Sequence, residues 1–144
     1  MVDVRPARIH SSYQFRLDRL AVDTAVILRQ DNLSIVVIKR SAGTIKSLRQ
    51  LSGNLQDPHS TASQQPGSAS NSLRSIHPEY FVSYAIGTDL GCGLTTIEAG
   101  LREICSDARY DLAGRALKGG TQFENLAIPD YNFSNNFNTL TIRP

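Results

Sequence analysis

The sequence has few cysteines and little net charge, and each of these features excludes some classes of protein. Its two cysteines, Cys92 and Cys105, are too few for a disulfide-dense scaffold or a four-cysteine metal site, and leave one disulfide or two thiols. The formal net charge is only +2, and the five tyrosines and five phenylalanines are scattered along the chain. Without a concentrated basic face or basic and aromatic interleaving, we expect no nucleic-acid partner.

Long apolar runs are also absent. The longest clear ones, such as residues 35–38, have the length of a strand, whereas a membrane-spanning helix needs roughly 20 apolar residues. Residues 1–20 contain four arginines but no continuous apolar segment of the kind found in a secretory signal. We therefore expect neither a membrane span nor a signal peptide in this chain.

What is present predicts a single β-rich domain over residues 1–144. With 40% hydrophobic residues, a chain of this length can bury a substantial core. Runs of β-branched or alternating apolar residues predict strands, and the turn-forming residues 30–32 join the first two strands as an antiparallel hairpin. The predicted strands are residues 22–29, 33–38, 81–86 and 139–142, the last after an Asn-rich hairpin tip at 132–138.

Three segments break this pattern. Residues 43–51 place apolar side chains at helical spacing and predict one short helix. Residues 52–72 are crowded with Ser, Gln, Asn, Gly and Pro and predict a polar surface loop without regular structure. Residues 91–120 contain six glycines and only short strand candidates, so we expect compact loops held by a cross-link.

Two stretches carry a family resemblance. Residues 87–92 (GTDLGC) are similar to Cys-Thr-His-Leu-Gly-Cys, and residues 103–111 (EICSDARYD) to Cys-Pro-Cys-His-Gly-Ser-x-Tyr-Asp, the two boxes of Rieske iron-sulfur proteins. The similarity continues in order over residues 31–143 and resembles the cytochrome bc type, which has a disulfide cysteine in each box. The resemblance implies an all-β, antiparallel Rieske-type β-sandwich with one short helix and an inserted, loop-rich, cluster-binding-like subdomain at residues 87–118.

The ligand positions that this resemblance assigns are all altered. A Rieske cluster is held by two thiolates and two imidazoles, and the resemblance puts the thiolates at Gly87 and Glu103 and the imidazoles at Asp89 and Ser106. Glycine offers no side-chain donor, and carboxylate or hydroxyl oxygens are hard donors that match a sulfide-bridged cluster poorly. We expect a degenerate site that holds no cofactor, no metal and no catalytic residue, and hence a protein that is not an enzyme.

Cys92 and Cys105 stand at the two positions that form a disulfide in the family, so the resemblance implies that they are bridged. The bridge is either a structural staple or a redox-active pair. Tyr110, which in the family tunes the cluster by hydrogen bonding, is expected to act here as a packing residue. The family's proline-rich segment corresponds to residues 120–123, which contain no proline.

Three other readings of the same residues remain. Cys92 and Cys105 could act as ligands together with two of the three histidines, although no histidine stands at the spacing of the boxes. An acidic tip could bind a hard cation such as calcium or form a solvated loop. Ser106 lacks spaced triad partners for nucleophilic catalysis. The histidines are His10, His59 and His77, and the acidic-tip residues are Asp89, Glu103, Ser106 and Asp107.

The resemblance and the altered ligands together predict a non-catalytic Rieske-fold subunit. We expect it to act structurally or through protein interaction in a larger assembly, respiratory or membrane-associated, in the periplasm or an equivalent oxidising compartment. No small-molecule substrate is identified. The alternative, which the family alone implies, is a Rieske 2Fe-2S electron-transfer subunit of a ubiquinol-cytochrome c reductase.

Overall fold

A computed structural model describes residues 12–51, 53–119 and 123–144, and within them the protein is built mostly of antiparallel strands with one short α-helix. The predicted all-β fold class is confirmed. None of the helices in these ranges is long and apolar enough to cross a membrane. The elements are β1 (Tyr13–Arg16), β2 (Ala25–Gln30), β3 (Leu33–Lys39), α1 (Ala42–Arg49), β4 (Tyr80–Tyr84), β5 (Leu94–Ile97), β6 (Gly100–Glu103), β7 (Arg109–Tyr110), β8 (Asp130–Ser134) and β9 (Thr139–Arg143).

The first sheet has the order β2-β3-β4 and contains the hairpin predicted from the β-branched runs. Gln30 pairs with Leu33 across a two-residue turn in which Asp31 adopts φ 53°, a left-handed conformation that aspartate tolerates better than most residues. β3 is the central strand, and residues 35–38 are fully buried. An apolar strand covered on both faces explains why this run shows no polar alternation.

The second sheet has the order β1-β9-β8, and its β8-β9 hairpin turns at the Asn-rich tip that the sequence predicted. Leu140 and Ile142 of β9 are fully buried in the same apolar core as β3, so the two sheets share one interior. β1 was not predicted, because its four residues, YQFR, bury only Phe15 and follow an arginine-rich start.

The short helix predicted at residues 43–51 is confirmed as α1, with boundaries shifted by one or two residues. It begins after Ser41, whose Oγ accepts a hydrogen bond from the backbone N–H of Thr44 at 3.2 Å. Asp23 in turn accepts hydrogen bonds from both the N–H and the hydroxyl of Ser41. Such capping satisfies N–H groups that the first turn leaves unpaired.

The third sheet corrects the expectation that residues 91–120 form loops without regular sheet. Here β5, β6 and β7 make a small antiparallel sheet, in which Leu94 pairs with Glu103 and Leu101 with Tyr110. Gly100 is required in β6, because a Cβ there would lie 2.2 Å from the carbonyl oxygen of Tyr110 on β7. Strand propensity does not reveal such a close backbone approach, because glycine lowers the propensity of the segment that needs it.

The segment predicted as an unstructured polar loop, residues 52–72, is also more ordered than expected in its described part. It contains a 3₁₀ turn at Gly67–Ala69, and Leu55 and Ala69 are buried. The Asp57 carboxylate accepts hydrogen bonds from the N–H groups of Thr61 and Ala62. Side-chain capping of this kind gives a polar segment defined structure without an apolar run.

Candidate functional site

Two loops at one end of the third sheet form the site. The first, residues 87–93, leads from β4 to β5, and the second, residues 104–108, joins β6 to β7. Cys92 and Cys105 are disulfide-bonded across the loops with their Cα atoms 6.0 Å apart, which confirms the predicted bridge. The Ile104 N–H also donates to the Gly93 carbonyl at 2.8 Å. The two loops are therefore fixed to each other covalently and by backbone hydrogen bonding.

The Glu103 side chain lies between the loops and is fully buried. Oε2 accepts backbone hydrogen bonds from Cys92 at 2.7 Å and Leu90 at 3.0 Å, and Oε1 accepts one from Asp89 at 3.1 Å. Among the described residues, no basic side chain forms an ion pair with this carboxylate. A buried carboxylate needs hydrogen-bond donors, and here the backbone of the first loop supplies them.

Gly87 leaves the room that Glu103 occupies. A Cβ at residue 87 would lie 2.1 Å from Cδ of Glu103, 2.3 Å from its Oε1 and 2.4 Å from its Cγ. Gly87 is buried, and its N–H donates to the Cys92 carbonyl at 2.8 Å. Its φ is outside the positive range. Glycine is needed at this position to avoid side-chain overlap, and its conformational freedom is not the reason.

The four ligand positions assigned by the resemblance are brought together. Gly87 adjoins the Glu103 side chain, the backbone of Asp89 donates to it, and Ser106 Oγ lies 3.5 Å from Glu103 Oε1. Ser106 Oγ also accepts a hydrogen bond from the Ala108 N–H at 3.1 Å. The Glu103 carboxylate therefore occupies the centre of the site. For Asp89, Glu103, Ser106 and Asp107 the sequence left open a cation-binding tip or a solvated acidic loop, and the full burial of Glu103 does not fit a solvated loop.

Tyr110 is both a packing residue and a hydrogen-bonding residue. Its ring is fully buried and meets Phe123 edge to face, with the ring centroids 5.4 Å apart. Its hydroxyl oxygen accepts the Thr88 N–H at 2.8 Å and lies 2.8 Å from Thr88 Oγ1, which itself donates to the Glu124 carbonyl. Burial raises the pKa of Tyr110, and the hydrogen bonds with Thr88 oppose that rise. Tyr110 therefore also anchors the first loop through Thr88, in addition to the packing role that was predicted.

The other metal readings are not supported by the described residues. The only converging group of possible metal ligands there is Cys92, Glu103 and Cys105, and both sulfurs are committed to the disulfide. Neither Asp89 nor Asp107 joins it through a carboxylate. His59 and His77 are exposed and lie outside this group, and His77 packs against Phe137. His10 lies outside the described residues.

Two buried arginines that the sequence analysis did not single out bind backbone carbonyls of residues 112–114, which follow β7, and of other segments. Arg74 donates to the carbonyls of Ala113, Gly114 and Leu126. Arg40 donates to the carbonyls of Leu73, Pro78 and Leu112. Burial lowers the pKa of each guanidinium to about 10. An arginine at the end of an apolar strand, as in residues 35–40, was the available signal for such a role.

No family model matches the chain. A curated relative, the ubiquinol-cytochrome c reductase iron-sulfur subunit of Allochromatium vinosum, is 34% identical over 111 residues. This similarity supports a relation of the chain to Rieske iron-sulfur proteins. The aligned region is 69% of this chain and 54% of the relative, so the chain spans about half the length of that protein. Together with the antiparallel fold and the disulfide, the relative supports the Rieske resemblance inferred from the two boxes.

The disulfide between the two loops gives a stability prediction. Replacing both cysteines, Cys92→Ser with Cys105→Ser, is expected to lower the free energy of unfolding by about 3 kcal/mol, because the unfolded chain regains loop entropy. Urea denaturation followed by circular dichroism measures the change. Wild-type protein unfolded and refolded with a dithiol is the matched control, since it loses the bond and keeps the sulfur atoms. Equal stability of the oxidised wild type and the serine variant would contradict a structural role.

Proposed function

We propose that this chain is a degenerate Rieske-fold protein that binds no iron-sulfur cluster, catalyses no reaction and serves as a structural or protein-interaction subunit. Its place is a larger assembly, respiratory or membrane-associated, in the periplasm or another oxidising compartment. The disulfide fits such a compartment, since reducing cytosols keep most thiols unpaired.

The observation that carries the proposal is the position of the Glu103 carboxylate. It stands where the resemblance puts a cluster thiolate, and its oxygens are already bound by the backbone of the first loop. The residues present do not fit a Rieske cluster, because Gly87 and Asp89 replace one thiolate and one imidazole, and Ser106 replaces the other imidazole. Gly87 has no side-chain atom that could bind iron, and the disulfide leaves no free thiolate among the chain's two cysteines.

An interaction role draws support from the surface beside the disulfide. Leu90 and Ile104, near Cys92 and Cys105 in the chain, are 64% and 58% exposed. Ile86, whose backbone bridges to Gly93, is 48% exposed. Single exposed apolar residues are common on soluble proteins, but three within or next to one pair of cross-linked loops are suited to contact with another protein.

The second candidate is an electron-transfer subunit of a ubiquinol-cytochrome c reductase. The similarity to the Allochromatium vinosum iron-sulfur subunit favours it. This candidate requires four soft or imidazole donors around the site, and the resemblance assigns those places to residues that cannot supply them.

Metal analysis of the wild-type chain separates the two candidates. After anaerobic expression with iron and sulfide available, we expect no stoichiometric iron or acid-labile sulfide and no visible or electron-paramagnetic signal of a reduced cluster. The Allochromatium vinosum relative, expressed in parallel, is the control for cluster assembly in that host. A stoichiometric cluster in the wild-type chain would overturn the proposal and favour the electron carrier.

A further inference from the structure

The first loop presents a set of backbone donors to one point. The N–H groups of Asp89, Leu90 and Cys92 all donate to the Glu103 carboxylate, which reaches them from the opposite loop. Successive backbone N–H groups that face one concavity form an anion-binding nest. The acceptor is a side chain 11 to 14 residues away in the sequence, so the nest is a tertiary binding site and not a local turn.

We infer that residues 89–92 form a carboxylate-binding site that the chain fills with its own Glu103, and that the site binds a small free carboxylate when this side chain is removed. The inference rests on the proposed absence of a cluster, since a cluster and the carboxylate cannot occupy the same place. It assigns a ligand class to the loop, namely monocarboxylates of about the size of acetate.

Donor chemistry selects a carboxylate. Three N–H donors require acceptor oxygens, and a carboxylate offers two oxygens with several lone pairs. Charge-assisted hydrogen bonds of this kind are stronger than neutral ones. Once Glu103 is truncated, these partly buried N–H groups need a new acceptor, and a carboxylate forms stronger, charge-assisted bonds with them than water does.

Size selects acetate. Glu103→Ala removes Cγ, Cδ and the two oxygens, and acetate contains the same set of one methyl carbon, one carboxyl carbon and two oxygens. Gly87 keeps the space open, since it contributes no Cβ against these atoms. Formate fills the space incompletely, and propionate adds a methylene that the packed site must accommodate.

The experiment measures urea unfolding of full-length Glu103→Ala in sodium acetate, with sodium chloride at equal ionic strength as reference. Binding to the folded state alone raises the unfolding midpoint with ligand concentration. We expect a rise in acetate that grows with the logarithm of its concentration above the Kd, a smaller one in formate, and none in acetamide, which has the same shape but one acceptor oxygen. In ¹H-¹⁵N spectra, acetate should shift the amide signals of Asp89, Leu90 and Cys92 in the variant.

Two proteins control the experiment. Wild type and Glu103→Gln retain a side chain in the site and should respond to acetate no more than to chloride. If Glu103→Ala does not fold in chloride, refolding in acetate against acetamide replaces the midpoint measurement, and recovery only in acetate supports the site. Equal behaviour in acetate and chloride, or failure to fold in either, contradicts the inference. Iron in wild-type protein would instead defeat the proposed function, so the two failures are distinguishable.

Discussion

Gly87→Ala is expected to lower the free energy of unfolding by at least about 3 kcal/mol, although it adds only one methyl group. The new Cβ would lie 2.1 Å from Cδ of Glu103, well inside van der Waals contact. A flexible side chain on the surface could move away at little cost. Glu103 is fully buried, and displacing its carboxylate breaks the hydrogen bonds from Asp89, Leu90 and Cys92. Equilibrium urea denaturation measures the loss.

Gly43→Ala is the matched control for this substitution. Gly43 lies in α1, and a Cβ there meets no atom within 4 Å. Because alanine is the better helix former, the control is expected to cause no loss and a gain of up to about 1 kcal/mol. A comparable loss in both variants would show that glycine itself, and not the space at residue 87, governs the effect.

A double-mutant cycle tests the cause. In the Glu103→Ala background the atoms that overlap the new Cβ are gone, so Gly87→Ala should cost much less than it does in wild type. Residues that share space show coupling energies of about 0.5–3 kcal/mol, whereas independent residues give additive changes. Additive losses would mean that Gly87 and Glu103 do not compete for the same volume.

Part of the fold and of the site could be predicted from the sequence, and part could not. The hairpin of β2 and β3 was predictable because β-branched runs flank Asp31, and the cysteine pairing followed from the resemblance of the boxes. The burial of Glu103 was not predictable from residue type, since glutamate is seldom fully buried. The available signal was a pair of changes, in which one ligand position lost its side chain at Gly87 and the other gained a longer one at Glu103.

The remaining errors have two physical sources. β1 and the order in residues 53–72 depend on partners distant in sequence, such as Leu140 for Phe15 and Leu117 for Leu55, whereas the small sheet around β6 pairs residues close in sequence and depends on the close backbone approach at Gly100. Local propensity records which conformations a segment tolerates, and tertiary pairing decides among them. Side-chain capping by Asp57 is likewise invisible until its N–H donors are placed around it.

Restoring the four donors is expected to convert the chain into an iron-sulfur protein. The combined variant Gly87→Cys, Asp89→His, Glu103→Cys and Ser106→His replaces the buried carboxylate with a thiol and returns thiolates and imidazoles to the positions that the resemblance assigns. These positions already converge, since residues 87, 89 and 106 each contact Glu103. We expect about two irons and two sulfides per chain, with the electron-paramagnetic spectrum of a histidine-ligated cluster after reduction.

The control variant has serine where the four-donor variant has cysteine, so it keeps the side-chain volume and lacks the sulfur ligands. Serine in place of each introduced cysteine, in Gly87→Ser and Glu103→Ser with both histidine substitutions, has similar side-chain volumes but hard donors, and is expected to bind no cluster. A second control retains Glu103 with the other three substitutions and should be destabilised, because the side chain introduced at residue 87 overlaps the carboxylate. A folded four-donor variant without iron would show that the loops no longer hold the geometry of a Rieske site. Iron in the four-donor variant alone would show that donor identity, and not loop structure, separates this chain from Rieske proteins that bind iron.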